Sequence, residues 1–175
     1  MIVMDRQWAM ASPDTFTVRP IREFVEEELA TLPDGAVVAD PFARNARYGT
    51  VTNDLNPEFD CDHHMDALEF LRTFDDGSVD CVIYDPPYSS RQVSECYKRY
   101  GYEVTAEATR GTWKRRHMDE VARILRPGGL LLAFGWHSNY CGKKRGFDIR
   151  RIRVVAHGGG SAHDTLCVAE VKRAS

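Results

Sequence analysis

Apolar positions along the chain follow two patterns, short continuous runs and helical spacing, separated by Pro, Gly and Asp. The short runs predict buried strands over 36–39, 50–53, 61–65, 79–84, 130–135, 148–156 and 165–171. Apolar residues at helical spacing predict helices over 20–31, 67–74 and 112–125. This alternation indicates an α/β fold with a doubly wound, mostly parallel, seven-stranded sheet. The last two strands, around glycines at 158–160, are expected to form a terminal antiparallel pair.

Length and composition favour a single globular domain over residues 1–175. Hydrophobic residues make up 43% of the chain and charged residues 28%, which excludes disordered and membrane-spanning classes. The five cysteines are odd in number and widely spaced, with no CxxC pair. This argues against a disulfide framework and for a reducing, cytoplasmic location.

The net charge of −3 conceals a division along the chain. Residues 1–88 hold 6 Lys/Arg and 18 Asp/Glu, whereas residues 89–153 hold 15 Lys/Arg and 6 Asp/Glu. A basic segment of this kind can contact a polyanion. The alternative is a trivial one, in which two faces of one domain are solvated differently.

Four acidic residues follow successive predicted strands: Asp40, Asp54, Asp66 and Asp85. Ligands of doubly wound sheets bind at the carboxyl ends of the strands, so these carboxylates are expected near one site. As an alternative, Asp54 and Asp66 are helix or turn caps.

The sequence Asp85-Pro86-Pro87-Tyr88 directly follows the apolar strand over 79–84. Here the chain resembles the amino-methyltransferases, S-adenosylmethionine-dependent enzymes that methylate exocyclic amines of nucleobases. The resemblance implies a Rossmann-like class I methyltransferase fold, and the leading Asp and closing Tyr resemble the adenine-modifying members. The alternative is a Pro-Pro turn with a surface tyrosine.

The chemistry expected of this motif has a physical basis. An aromatic exocyclic amine is a poor nucleophile because its lone pair is delocalised into the ring. The Asp85 carboxylate and the Pro86 carbonyl could accept its two N–H groups, and two prolines hold that carbonyl in a stiff turn. Tyr88 offers a face on which a flipped base can stack.

The resemblance also implies a cofactor site for S-adenosylmethionine in the first half of the chain. Asp54 would bind the ribose hydroxyls, and Asp66 the adenine amine of the cofactor. The implied cofactor-binding residues are Thr17, Asp40, Pro41, Phe42, Asp54, Leu55, Asp66 and Ala67.

Two departures from the family pattern stand out. The glycines expected after Phe42 are replaced by residues 43–48, so Arg44 must point away or make a contact of its own. Thirteen residues separate Asp40 from Asp54, and 11 separate Asp54 from Asp66. A parallel crossover with a helix needs about a dozen residues or more, so the first two crossovers are expected to be shortened and to lack full helices. Weak cofactor binding, or help from a partner subunit, is therefore expected.

Two segments after the motif are candidate nucleic-acid contacts. The polar stretch 89–111 interleaves basic and aromatic residues and is expected to be a lid or a binding loop, the alternative being a mobile surface loop. The second segment follows the strand over 130–135 at the same sheet edge. The candidate substrate-binding residues are Arg91, Trp136, His137, Asn139, Lys143, Lys144 and Arg145.

These motifs divide the expected domain into three parts. Residues 1–88 form the cofactor part and catalytic turn, 89–153 the basic substrate-facing part, and 154–175 the terminal strands. No metal site is expected, because neighbouring side chains of a strand over 61–65 would point to opposite faces and Cys61 has no close second partner.

Three functions fit these residues. The first is methylation of adenine in DNA, by base flipping and direct in-line transfer, and the second is the same chemistry on a base in RNA. The third is a non-catalytic nucleic-acid-binding or partner subunit with a degenerate cofactor pocket. Because 175 residues leave no room for a recognition domain, specificity is expected from short loops, a homodimer or a recognition partner, with no membrane contact.

Overall fold

Seven strands and four helices are found in the computed structural model, which describes residues 1–103, 111–158 and 163–174. The strands are β1 (Val3–Trp8), β2 (Val38–Asp40), β3 (Val51–Thr52), β4 (Val79–Tyr84), β5 (Leu125–Gly135), β6 (Phe147–Ala156) and β7 (Thr165–Lys172). The helices are α1 (Arg19–Leu29), α2 (Ala67–Arg72), α3 (Ser90–Arg99) and α4 (Gly111–Ile124).

All seven strands belong to one sheet with the order β1-β6-β7-β5-β4-β2-β3. Strand β7 runs antiparallel to both β5 and β6, and every other pairing is parallel. The predicted mostly parallel, seven-stranded α/β sheet with a terminal antiparallel strand is therefore confirmed. The carboxyl ends of β2, β3 and β4 lie side by side at one edge, which is where Asp40, Asp54 and Asp85 are found.

Helices cover both faces of the sheet. On one face α1 buries Ile21, Phe24 and Val25, while α2 and α4 cover the other face. The run in β5 is continuously apolar because its side chains alternate between the two cores: Leu131 packs with α4 and Leu132 with α1. Burial on both faces explains why this strand shows no polar alternation.

The predicted strand over 61–65 is absent, and the sheet has seven strands because it includes an unpredicted one, β1. Residues 61–65 form only a single bridge, between Asn53 and His63, and no strand. The Asp62 side chain accepts hydrogen bonds from both the N–H and the hydroxyl of Thr52. The N–H of Thr52 is therefore bonded to a side chain and not to the backbone of a neighbouring strand. The seventh strand is instead β1, which lies at the opposite edge and pairs with β6. Charged residues interrupt β1, so its sequence lacks a strand pattern.

The expectation of shortened first crossovers is confirmed. Residues 41–50 and 53–66 are fully described and contain no helix. Turns and side-chain hydrogen bonds replace the helices there. Within the described ranges no helix is long and apolar enough to cross a membrane.

The stretch 89–111 was expected to be a loop, and for its first half that expectation is wrong. A capping box begins α3: the Ser89 hydroxyl accepts the N–H of Gln92, and the Gln92 side chain accepts the N–H of Ser89. The rest of the predicted loop at 104–110 lies outside the described residues, as do positions 159 and 160 of the predicted glycine turn.

Candidate active site

A cavity of about 590 Å³ opens at the carboxyl ends of β2, β3 and β4. Helix α3 and the start of α4 form its outer wall. The residues around it include Thr15, Pro41, Phe42, Arg44, Asp54, Leu55, Asp66, Ala67, Asp85, Pro86, Pro87, Tyr88, Tyr97 and Trp113. Most of the side chains implied as cofactor contacts therefore meet around one space, together with all four residues of the Asp-Pro-Pro-Tyr motif.

Asp40 lies behind the cavity wall and is completely buried. Its Oδ1 accepts the N–H of Phe42 over 3.1 Å, which fixes the turn that places Pro41 and Phe42 at the cavity. Its Oδ2 has no hydrogen-bond partner in the described part of the chain. Burial and the nearby charges of Asp85 and Asp54 raise the pKa of Asp40 well above its usual range.

Asp54 is held by the backbone on both of its oxygens. Its Oδ1 accepts the N–H of Asn56 over 2.8 Å, and its Oδ2 accepts the N–H of Arg44 over 3.1 Å. Each oxygen retains acceptor capacity toward the cavity. Burial raises the pKa of Asp54, although these backbone bonds oppose the shift.

Arg44 stands where the family pattern expects glycine, and it adopts a glycine-like backbone with φ of 50°. Its guanidinium donates to the Pro13 carbonyl over 2.7 Å and pairs with Asp14 at 3.1 Å. Arg44 thus makes its own contact and ties the N-terminal segment to the cavity rim.

Asp66 caps α2 and also contacts the outer wall. Its Oδ1 accepts the N–H of Leu68, while its Oδ2 accepts the hydroxyl of Tyr97. The Trp113 indole N–H donates to the same hydroxyl over 3.0 Å. A chain of hydrogen bonds therefore links α2, α3 and α4 across the cavity, and sequence patterns gave no sign of Tyr97 or Trp113 in this role.

The Asp-Pro-Pro-Tyr motif directly follows β4 and leads to α3. The Tyr88 hydroxyl donates to Asp85 Oδ1 over 2.7 Å, and Gln92 accepts the Tyr88 backbone N–H over 2.8 Å. Burial raises the pKa of Asp85, opposed by hydrogen bonds from Thr15 and Tyr88. Thr15 is a contact that sequence reasoning missed.

A second cavity, of about 220 Å³, lies on the other side of the motif. Trp136 and His137 border it, and the Trp136 ring meets the Tyr88 ring edge-on at 5.7 Å. Two further wall residues, Lys114 and Tyr140, were not predicted. The Pro86-Pro87-Tyr88 segment borders both cavities, so it forms the partition between them.

The segment after β5 is fixed by a buried carboxylate. Glu170 of β7 accepts the backbone N–H groups of Tyr140, Cys141 and Gly142 at 2.9–3.1 Å. In the sequence, this role is indicated only by the presence of a glutamate within a largely apolar strand. Glu170 holds the loop that carries Trp136 and His137 over the second cavity.

Several predicted contacts lie away from both cavities. Thr17 is exposed and its hydroxyl bonds the Asp14 carbonyl, so Thr15, not Thr17, reaches the motif. Arg91 pairs with Glu95 on the exposed side of α3. Asn139, Lys143 and Lys144 are exposed on the loop after β5, and Arg145 is tied to Asp119 and to backbone carbonyls.

Much of the basic charge of residues 89–153 is paired with acidic side chains of the same chain. Arg151 and Arg153 of β6 pair with Asp5 and Glu27, and Arg150 pairs with the buried Glu28. In the same way Arg123 pairs with Asp76 and Arg126 with Asp80. These five arginines are therefore structural, which removes them from the basic surface inferred from the sequence.

The residues weighed as metal ligands have separate partners. Cys61 Sγ contacts the Arg44 carbonyl, Asp62 binds Thr52, and His64 Nδ1 contacts the Asp54 carbonyl. No group of three or more potential ligands is gathered among residues 1–103, 111–158 and 163–174.

Solved structures similar to this chain share its fold. The protein yhhF of Escherichia coli, described as a candidate methyltransferase, superimposes with a TM-score of 0.58 at 12% identity, covering 94% of this chain and 92% of that one. The 1,6-didemethyltoxoflavin-N1-methyltransferase of Burkholderia thailandensis, solved with S-adenosylhomocysteine, gives 0.58 at 12% identity, over 89% and 78%. TrmN of Thermus thermophilus gives 0.56 at 17% identity, over 88% and 49%. The chain thus has the Rossmann-like fold of class I methyltransferases.

Sequence comparison gives a narrower match. No protein-family model matches the chain. A tRNA (carboxymethyluridine(34)-5-O)-methyltransferase of Mus musculus is 29% identical over 112 residues, which are 64% of this chain. The match spans 16% of the length of the mouse protein.

Proposed function

We propose that this chain is an S-adenosylmethionine-dependent methyltransferase that modifies the exocyclic amine of a nucleobase, with adenine in DNA as the first candidate. The observation that carries the proposal is that Pro86 lies on the partition between the two cavities, directly after Asp85, which borders the larger cavity. One cavity suits a cofactor and the other a flat acceptor. The Asp85 carboxylate and the Pro86 carbonyl supply the two acceptor oxygens for the amine.

The donors and charges around the larger cavity suit the proposed cofactor. Asp54 has free acceptor capacity for two ribose hydroxyls, and Asp66 for an adenine amine, beside the aromatic walls of Phe42 and Trp113. Asp54, Asp66 and Asp85 place three carboxyl groups around this cavity, and a cationic ligand would stabilise their ionised forms. The fold neighbour from B. thailandensis, solved with S-adenosylhomocysteine, supports this choice. When bound, S-adenosylmethionine supplies an electrophilic methyl group on a sulfonium.

The residues of the motif orient and activate the acceptor. The Asp85 carboxylate and the Pro86 carbonyl accept the two N–H groups of the amine, which favours a pyramidal nitrogen with its lone pair directed across the partition. The base, flipped out of its stack, lies against the rings of Tyr88 and Trp136. Asp85, whose pKa is raised by burial, accepts the proton released by the methylated nitrogen.

Nucleic acid is the proposed partner because two exposed lysines follow, along the same loop, the residues Trp136 and His137 that border the second cavity. Lys143 and Lys144 remain available after the internal ion pairs are formed. RNA is the second candidate, favoured by the match to the mouse tRNA methyltransferase. A homodimer or a separate recognition subunit would add sequence specificity to so short a loop.

The proposal is tested by incubating the protein with S-adenosylmethionine and duplex DNA, single-stranded DNA or total RNA. Nucleosides are then separated by mass. N6-methyladenine in DNA is the expected product, and a methylated amino base in RNA would support the second candidate. Calorimetric binding of S-adenosylhomocysteine is measured in parallel. Cofactor binding without transfer to any substrate would favour the non-catalytic subunit, and absence of both would refute the methyltransferase.

A further inference from the structure

Lys114 lies at the wall of the second cavity, with Glu170 as a nearby charge. Its Nζ lies 3.9 Å from the centre of the Tyr140 ring. Across residues 1–103, 111–158 and 163–174 it makes no ion pair or hydrogen bond. The nearby carboxylate of Glu170 is taken up by the three backbone N–H groups that it binds. Lys114 therefore brings donor capacity to the cavity.

Tyr140 adds a second polar atom to the same wall. Tyr140 is 94% buried as a residue, but its hydroxyl oxygen is not among the fully buried, unpaired polar atoms of the described residues, so that oxygen is accessible. A Cβ added to Gly135 would lie 3.0 Å from that hydroxyl oxygen. Gly135 and Tyr140 both border the second cavity, so the hydroxyl faces this space across a residue without a side chain. A hydroxyl that opens onto a cavity can donate a hydrogen bond to a ligand that fills it.

The remaining walls define the shape of the ligand. Pro86, Pro87, Trp113, Phe134 and Trp136 present flat, apolar surfaces around about 220 Å³. A planar heteroaromatic ring fits such walls, whereas a phosphate would leave them unused. Two donors at one wall then call for acceptor atoms on that ring. Amino-bearing nucleobases carry such an acceptor, because a ring nitrogen stands next to the carbon that bears the amine.

We infer that Lys114 and Tyr140 form the wall of the acceptor subsite that reads the edge of the base whose amine contacts Asp85, with the Lys114 ammonium donating to a ring nitrogen and the Tyr140 hydroxyl facing the same edge. This assignment rests on the proposed function and adds the residues that select and position the base. Burial lowers the pKa of Lys114, and the cation–π contact with Tyr140 keeps the ammonium in place.

The test compares adenine with its 1-deaza, 3-deaza and 7-deaza analogues, each of which replaces one ring nitrogen by C–H. Oligonucleotides carrying each base are assayed for affinity, in the presence of S-adenosylhomocysteine, and for kcat and KM. Wild-type protein should bind one analogue roughly 10- to 100-fold more weakly than adenine. Lys114→Met, which keeps the apolar stem, should weaken binding of adenine to a similar extent and no longer discriminate against that analogue.

Tyr140→Phe keeps the ring that supports Lys114 and removes only the hydroxyl, so it should give a smaller loss of the same kind. Arg22→Met removes an exposed charge of α1 and should behave as wild type. Unchanged discrimination in Lys114→Met, with wild-type methyl transfer intact, would overturn this assignment alone. Absence of methyl transfer by the wild-type protein would overturn the proposed function and this assignment with it.

Discussion

The Tyr88 hydroxyl donates a hydrogen bond to Asp85 Oδ1 over 2.7 Å, so the last residue of the motif caps the first. In the proposed function, this carboxylate also accepts an N–H of the target amine. The amine must share the oxygen with the hydroxyl or displace it. The ring of Tyr88, which borders both cavities, remains free to stack. The hydroxyl and the ring of one residue thus have separable effects.

Tyr88→Phe separates these effects through the pH dependence of the rate. The Tyr88 hydroxyl lowers the pKa of Asp85 against the upward effect of burial, so its removal raises that pKa further. Since the ionised carboxylate is the active form, the acidic limb of the single-turnover rate should move to higher pH. Tyr48→Phe, which removes a hydroxyl that contacts Glu26 of α1, is the control. An acidic limb that stays in place would show that Asp85 does not set it.

Asp54→Asn tests the cofactor side of the site. Loss of the carboxylate removes charge-assisted bonds to the ribose, so the affinity for S-adenosylmethionine should fall roughly tenfold or more. Isothermal titration measures this change. Asp60→Asn, whose exposed carboxylate pairs with Arg47, serves as control and should bind as wild type. An equal dissociation constant for wild type and Asp54→Asn would exclude the ribose contact.

The sequence anticipated the sheet because its central strands are continuously apolar and end in acidic residues. It did not anticipate β1, where Asp5 and Arg6 interrupt the pattern and pairing with β6 supplies the stabilisation. The bridge at His63 replaces a predicted strand because Asp62 bonds Thr52 through its side chain. Edge elements depend on tertiary partners, which local patterns do not encode.

The site was anticipated in part for a similar reason. Residues within contiguous motifs, such as Asp54 and Asp85, could be found from their position after strands. Tyr97 and Lys114 reach the cavities only because α3 and α4 pack over the sheet edge. Conversely, Arg153 contributes to the basic charge counted for residues 89–153, but the fold pairs it with Asp5. Ion pairs between residues that are distant in the sequence thus determine which charged side chains stay available to bind a partner.

Buried His117 should make the stability of the protein pH-dependent. Burial lowers its pKa to about 4 from an ordinary value of 6.5, and its Nδ1 is 2.9 Å from the Tyr84 hydroxyl. The folded state binds the proton of His117 less readily than the unfolded state does. The free energy of unfolding therefore has its full value above pH 6.5 and falls as the pH decreases toward 4. The loss should reach about 3 kcal/mol.

Urea denaturation at several pH values measures this effect. His117→Gln lacks the titrating group, so its stability should vary less with pH than that of wild type between pH 6.5 and 4. Identical slopes for the two proteins would show that His117 is not the source.

Two exposed lysines should account for part of the salt dependence of nucleic-acid binding. If Lys143 and Lys144 each contact a phosphate, the double substitution to Ala should lower the slope of log affinity against log salt by about 2. Fluorescence anisotropy over a salt series measures the slope. Arg19 and Arg22 of α1 are exposed and ion-paired within their helix, and their double Ala variant should keep the wild-type slope. Equal slopes for both double variants would remove the lysines from the interface.

The most direct test is single-turnover methyl transfer by Asp85→Ala, measured together with its affinity for S-adenosylmethionine. The proposed role predicts a rate at least about 100-fold below wild type, because one of the two acceptors of the amine is lost. The dissociation constant for the cofactor should remain within about twofold of wild type, because Asp54 and Asp66 are intact. A folded Asp85→Ala protein that transfers methyl at the wild-type rate would contradict the central claim that Asp85 activates the acceptor amine.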